Sequence, residues 1–287
     1  MSEESLRGAH IGIVGAGVMA EAMLAGLLER RLIDPGNVVA SHPSDKRREE
    51  LRERHAIGVV TGNAQALAGA DVILLAVKPQ MLPTVMPELG EQLQPDQLVI
   101  SVIAGASTRA LRDGLHHPAI VRSMPNTPAQ ISRGVTVWYA TEAVTAQGRA
   151  RTRAMLSALG QEFEVHDERH VAMATAVSGT GPTYILLFIE SLTDAAVHLG
   201  FPRHVARELV LGTMLGSAEF AQQSGRHFAE LRDMVTSPGG TSAEALYQLE
   251  KGGLRTVVSD AVWAAFERTL QLEARLEGRP PEPKTRR

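Results

Sequence analysis

The chain has 287 residues, 44% of them hydrophobic, and a formal net charge of −3. That length can bury two cores, and a mildly acidic balance with dispersed basic residues leaves no surface for nucleic acid or another polyanion. The absence of cysteine rules out disulfides, thiolate metal sites and a cysteine nucleophile, and fits a reducing, cytoplasmic setting.

The N-terminal MSEESLRGAH has no apolar core of the kind an export signal needs. Short β-branched runs then alternate with amphipathic stretches. HIGIVG reads as a strand, Gly17 to Arg31 as a helix and NVVAS as a strand. DKRREELRERH reads as a solvated helix, and DVILLAVK, LVISVIAG and AIVRSM as further strands. GVTVWYA and QEFEVHD flank one more helix and close the sheet. Continuous apolar strands separated by helices predict an α/β domain over residues 1–166, with a doubly wound parallel sheet covered on both faces.

Strand signals stop near Asp167, and an all-α domain is expected over 167–277. Ile185, Phe188, Ile189, Leu192, Ala196 and Leu199 form one apolar stripe at helical spacing. So much apolar surface in a small helical block points to burial against a second copy. Val171 to Ile189 carries no charge, which invites a membrane reading, but SGTGP breaks it, and a buried helix pair is expected instead. The proline-rich, charged tail 278–287 is expected to be disordered.

Gly15-Ala16-Gly17-Val18-Met19-Ala20 follows a strand and opens a helix. Gly15 permits the tight turn, Gly17 lets backbone approach a pyrophosphate, and Ala20 keeps helix against strand. The helix N-terminus offers free N–H groups to phosphate. In nicotinamide enzymes an acid at the end of the second strand usually holds the ribose; here Ser41 and His42 stand there, followed by Lys46, Arg47 and Arg48. That pattern favours NADPH, with Asp45 keeping NADH open. Lys78, in AVKPQ, reads as a lysine beside a proline at a strand end before it reads as a base.

A second glycine turn, SPGGTSAE, opens a helix at the far end of the chain. Thr241 to Glu244 fits a capping box with Thr241 as N-cap. The glycines before it clear the approach to the N–H groups of Gly240, Thr241 and Ser242, making an anion site for a small carboxylate. His166 and His170 have the spacing of a helical metal pair but lack a third ligand, so no metal is expected.

Taken in order, GAGxMA at Gly15–Ala20, AVKPQ at Ala76–Gln80, MPNTP at Met124–Pro128, SGTGPTY at Ser178–Tyr184 and TSPGGTS at Thr236–Ser242 resemble the pyrroline-5-carboxylate reductase family. The resemblance runs from about residue 9 to residue 275. It implies a Rossmann domain followed by a helical dimerisation domain, with dimers assembling further, up to a decamer. It implies a cofactor lying along Val14, Gly15, Ala16, Gly17, Val18, Met19, Ser41, Asn63, Ala76, Val77, Lys78, Pro79 and Ala104, with Asn126 near the nicotinamide. It implies substrate contacts at Glu168, Gly239, Gly240, Thr241 and Ser242, and proton delivery by Ser242 or a water. The family's usual Asn is Val18 here, its Ser is Thr180, its Ala is Thr183 and its second Thr is Ser242. Serine keeps the hydroxyl with a freer rotamer.

Three other readings stay open. A related imine reductase would act on a six-membered ring. A β-hydroxyacid dehydrogenase would need a lysine in the helical half, where Lys251 sits on an exposed helix end. A non-catalytic NADP-binding regulator would have kept the fold alone.

Overall fold

The apolar runs pair into one eight-stranded sheet in the order β3-β2-β1-β4-β5-β6-β7-β8 in the computed structural model, which describes residues 3–280. The strands are β1 (Ile11–Val14), β2 (Val38–Ser41), β3 (Gly58–Val60), β4 (Val72–Leu75), β5 (Leu98–Ser101), β6 (Ile120–Met124), β7 (Gly134–Ala140) and β8 (Gly160–Glu164). All neighbours are parallel except β6 and β7, which pair antiparallel through a short connection. This departs from the wholly parallel sheet expected from sequence: nine residues between Met124 and Gly134 are too few for a crossover.

Helices cover both faces. They are α1 (Val18–Glu29), α2 (Asp45–His55), α3 (Asn63–Leu67), α4 (Leu82–Gly90), α5 (Thr108–Leu115), α6 (Ala146–Ser157) and α7 (Arg169–Ala174). Alternate strand residues supply two cores. Ile11, Ile13, Val72, Leu74, Leu98 and Ile100 pack with Met23, Leu24 and Leu27 of α1. Val14, Ile73, Leu75 and Val99 pack with Leu82 and Leu89 of α4 and Leu111 of α5. Burial on both faces is why these strands read as continuous hydrophobic runs.

The later helices are α8 (Gly181–His198), α9 (Arg203–Ser224), α10 (Phe228–Met234), α11 (Thr241–Lys251) and α12 (Leu254–Leu276). By its contacts the chain divides into two compact units. The first holds the sheet up to Thr180 and resumes at Ala264; the second is Gly181–Trp263. The sheet unit thus reaches past the expected boundary at 166/167, because α7 packs on β6 and β7. Residues 278–280 belong to the described chain, with Arg279 N–H bonded to the Ala274 carbonyl at 2.8 Å; the rest of the tail, expected to be disordered, lies outside the described residues.

The second unit has a thin core among its own helices, with Thr193, Ala206, Val210 and Leu231 buried. Its apolar stripe faces outward: Ile185 is 51% exposed, Phe188 and Leu192 are each 39% exposed and Leu199 82%, and Leu186 and Leu187 beside them are exposed too. The buried helix pair expected for Val171 to Ile189 is therefore half right within one chain. Val171, Ala172 and Ala176 are buried, whereas Ile185 to Phe188 are exposed, since a single copy has no layer to lay over them. Residues 169–198 are the one described helical stretch long and apolar enough to cross a membrane. They contain a wide π-type turn at Thr175–Gly179, a feature frequent at functional sites.

Candidate active site

The first glycine turn sits where the strand order reverses, between β2 and β4 at the exit of β1. Gly15 has φ +88, and a Cβ there would lie 2.7–2.8 Å from Val77 side chain and backbone, so only glycine fits. The Gly15 and Ala16 N–H groups donate to the Ser41 carbonyl at 3.3 and 3.2 Å, folding the turn onto β2. Gly17 is the N-cap of α1, and nothing lies within 4 Å of where its Cβ would be. The helix therefore begins against open space with Val18 exposed, Met19 half-buried and Ala20 packed in the core. Such an N-terminus, at the carboxyl edge of a parallel sheet, fits a pyrophosphate.

Around this turn the structure gathers most of the expected cofactor residues. Ala76 N–H donates to the Val14 carbonyl at 2.9 Å, which brings the AVKP exit of β4 beside the turn. Lys78 is exposed, in extended backbone before Pro79. Ser41 is fully buried, and its hydroxyl lies 3.3 Å from the Ile13 carbonyl and 2.8 Å from Asn63 Oδ1. Asn63, the first residue of α3, donates on to Glu88 at 3.1 Å.

The cations after β2 are more committed than their sequence suggests. Arg47 Nε donates to the Ala16 carbonyl at 3.1 Å, Nη2 pairs with Glu21 at 2.6 Å and Nη1 with Glu50 at 3.3 Å. Arg48 donates to the His42 and Pro43 carbonyls at 2.6 and 3.0 Å and pairs with Asp45. Burial, with the charge of Arg47 beside it, holds the His42 imidazole below its usual pKa. Burial would raise the Glu21 carboxyl, but hydrogen bonds from Arg47 and His55 outweigh it and hold it low.

Asn126 is buried, with its amide spent on the protein. Nδ2 donates to the Ser178 carbonyl at 3.0 Å and Oδ1 accepts from Val135 N–H at 2.9 Å. It ties the exit of β6 to the π-type turn. Ala104, half-buried, lies in the exit of β5. Glu168 also has both oxygens engaged: Oε1 accepts from Thr108 N–H at 2.7 Å and from Arg122 at 2.9 Å, and Oε2 from the Thr108 hydroxyl. Its carboxylate braces α5 and β6. This network around Arg122 escaped the sequence reading; the one signal for it was a single charge inside the apolar strand IVRSM.

The second glycine turn, within the helical unit, is a tight turn closed by Gly240 N–H donating to the Ser237 carbonyl at 3.0 Å. Pro238 precedes Gly239, which has φ +67, as a type II turn requires. Two expectations need correction. Gly240, not Thr241, is the N-cap of α11, without a side-chain cap, and Glu244 instead accepts from Gln248 at 3.0 Å. The Pro-Gly turn sets the register and places Thr241 one residue inside the helix. Gly240 N–H is also used up in the turn, so the first-turn N–H groups without a helical acceptor are those of Thr241, Ser242 and Ala243. Thr241 is exposed and Ser242 half-buried.

A doubly wound sheet with an open glycine turn at its switch point is the geometry of a dinucleotide-binding protein. A family profile described as NADP oxidoreductase coenzyme F420-dependent matches residues 10–105, and one described as pyrroline-5-carboxylate reductase dimerisation matches residues 168–272. The chain is 41% identical to a pyrroline-5-carboxylate reductase of Synechocystis, over 92% of its own length and 98% of the relative's. Among solved structures, the pyrroline-5-carboxylate reductase of Coxiella burnetii aligns with TM-score 0.84 at 33% identity, covering 92% of this chain and 98% of that one. The Plasmodium falciparum enzyme, solved with NADP bound, aligns with TM-score 0.86 at 30% identity, covering 93% and 99%. The chain belongs to the pyrroline-5-carboxylate reductase family.

Proposed function

We propose that the protein reduces 1-pyrroline-5-carboxylate to L-proline, the last step of proline synthesis, with NADPH as the preferred reductant and NADH as an alternative. The observation that carries this reading is the Ser237–Gly240 turn ahead of α11. The sheet half alone would suit any nicotinamide enzyme, whereas a second, separate anion site suits a substrate with a carboxylate. The relatives named above, and the NADP in one of them, support the substrate and the cofactor.

The residues fit such a cofactor: Gly17 leaves the helix N-terminus open, and no acid follows Ser41 at the end of β2. Val14 to Met19 would take the pyrophosphate, Ser41 and Asn63 the adenosine side, and Ala76 to Pro79 with Ala104 the path toward the nicotinamide. When bound, the reduced nicotinamide supplies the hydride to the imine carbon. The chain's own work is to hold and to protonate. Thr241 and Ser242 hold the substrate carboxylate with first-turn N–H groups, and the Ser242 hydroxyl, directly or through a water, gives a proton to the ring nitrogen. Carbon gains the hydride pair, nitrogen gains the proton, and the C=N bond becomes C–N. Glu168 and Asn126 act behind the site, through α5 and the π-type turn, rather than on substrate.

The exposed stripe of α8 supports a homodimer through the helical unit; assembly of such dimers into a decamer is the further step of the same reading. We read the protein as cytoplasmic, with neither membrane nor nucleic acid as partner; a second copy, not lipid, covers residues 185–199. The test follows NADPH oxidation with pyrroline-5-carboxylate and with its six-membered homologue. Rapid oxidation on the five-membered ring is expected. Oxidation on the larger ring alone would keep the chemistry and refute the substrate, and binding without turnover on either would refute the function.

A further inference from the structure

β6 is apolar apart from Arg122 and Ser123, and the Arg122 side chain is only 3% exposed. A guanidinium so buried requires partners. It has two, reached by separate prongs: Nη1 donates to Glu168 at 2.9 Å and Nη2 to Glu273. Glu168 immediately precedes α7, and Glu273 lies in the last turn of α12.

Each of these acids, or its helix, then reaches the segment between β5 and α5. Glu168 accepts from the N–H and hydroxyl of Thr108, the first residue of α5. Leu272, next to Glu273, lies so close to Gly105 that a Cβ there would be 2.8 Å from its own. Ser107, the N-cap of α5, donates to Glu277, the residue that follows α12. Gly105, Ser107 and Thr108 are thus each pinned by the two elements that Arg122 joins, and Ala104 stands at the head of that segment.

We propose that Arg122 is a positioning residue for the reaction: by gripping Glu168 and Glu273 together, it fixes the segment Ala104–Thr108 and so sets where Ala104 lies along the nicotinamide cofactor. This rests on the cofactor reading above. The guanidinium meets Glu168 just ahead of α7 and Glu273 in α12, while Glu277, just past the end of α12, acts on Glu273 and pairs with Arg279. Burial raises the Glu273 carboxyl; Arg122 pulls it down, Glu168 and Glu277 push it up, and the balance is upward. A protonated Glu273 keeps a hydrogen bond but loses its ionic grip. The clamp therefore tightens as pH rises through the Glu273 titration, and cofactor affinity rises with it.

The test measures the Kd of the full chain for NADH by fluorescence from about pH 5 to about pH 8, with KM and kcat on pyrroline-5-carboxylate; NADH is the probe because the 2′-phosphate of NADPH titrates near pH 6 itself. Glu273→Gln mimics the protonated acid. It is expected to raise Kd about three- to tenfold at neutral pH, leave kcat within about twofold and flatten the pH dependence. Arg122→Lys keeps the charge without the fork, and is expected to raise Kd about tenfold at every pH. Wild-type affinity with a wild-type pH profile in folded Glu273→Gln would overturn the proposal, as would a lowered Tm with unchanged Kd in both variants. A wild-type protein that binds no nicotinamide nucleotide would defeat the cofactor reading and this proposal together. Binding without turnover would defeat only the assigned reaction and leave the Kd comparison decisive.

Discussion

Arg47 donates from Nε to the main-chain carbonyl of Ala16, 3.1 Å away, while Glu21 at 2.6 Å holds the same guanidinium. The glycine turn is therefore braced from α2 as well as shaped by its own glycines. A bracing arginine and a phosphate-reading arginine behave differently when removed. Arg47→Met is expected to weaken NADPH and NADH alike, each by about three- to tenfold, with the ratio of their Kd values changing less than about threefold. Titrating both nucleotides against the variant decides it; a loss confined to NADPH would mean that the side chain leaves Glu21 to meet the 2′-phosphate.

Gly15 and Gly17 look equivalent in a motif and are not equivalent in space. Gly15 sits at φ +88 against Val77, so Gly15→Ala combines backbone strain of about 1–3 kcal/mol with a clash and should destabilise the fold. Gly17 has φ −80 and open surroundings, so Gly17→Ala should keep Tm within a few degrees. Its methyl would stand where pyrophosphate approaches, raising the NADPH Kd by about tenfold or more. Thermal melts beside binding curves separate the two. A Gly17→Ala protein with unchanged affinity would count against a phosphate at this turn.

Where an element carried its own pattern, the chain could be read directly. The acid–base alternation of Asp45–His55 and the β-branched and aromatic run Gly134–Ala140 return as α2 and β7 with the same ends. β3 has three residues, none of them fully buried, too few for periodicity to register. The cap of α11 was misread by one residue because Thr241-Ser-Ala-Glu244 satisfies a capping box locally, while the Pro238-Gly239 turn before it decides the register. Arg122 was invisible as a centre because its partners lie 46 and 151 residues away. The outward stripe of α8 was plain in sequence, since its cover comes from outside the single chain.

The exposed apolar residues of α8 make a direct prediction. Leu186 is 63% exposed in one copy, so Leu186→Glu should leave the chain's own fold intact. Placed inside a contact between copies, the same carboxylate would be buried without a partner. Sedimentation of the variant is expected to show monomer where the parent sediments as dimer or larger. An unchanged oligomer would place the contact on another face.

His117 gives the fold an acid limit. It is 3% exposed, and its Nε2 lies 2.7 Å from the Gln97 carbonyl, which only accepts, so Nε2 carries a proton. Burial lowers its pKa from 6.5, more than that hydrogen bond raises it. The unfolded chain therefore takes up a proton first as pH falls below 6.5. Stability is full above that value and drains as pH descends toward the folded pKa. His117→Gln, which can keep the donor, should flatten this limb of the Tm–pH curve; a parallel curve would assign the loss to another group, such as His42.

Ser242 brings a main-chain N–H and a hydroxyl to the first turn of α11. Its main chain and its hydroxyl have separate roles in the proposed reaction, and substitution can tell them apart. Ser242→Ala keeps the N–H of the α11 first turn and removes only the hydroxyl. If the hydroxyl delivers the proton to the ring nitrogen, kcat should fall by about tenfold or more while KM for pyrroline-5-carboxylate changes little. Ser242→Thr should restore the rate, since it returns the hydroxyl with a narrower choice of rotamers. A rise in KM at constant kcat would assign the hydroxyl to carboxylate binding. An unchanged rate in both would leave water as the donor, with the N–H groups of Thr241 and Ser242 doing the binding alone.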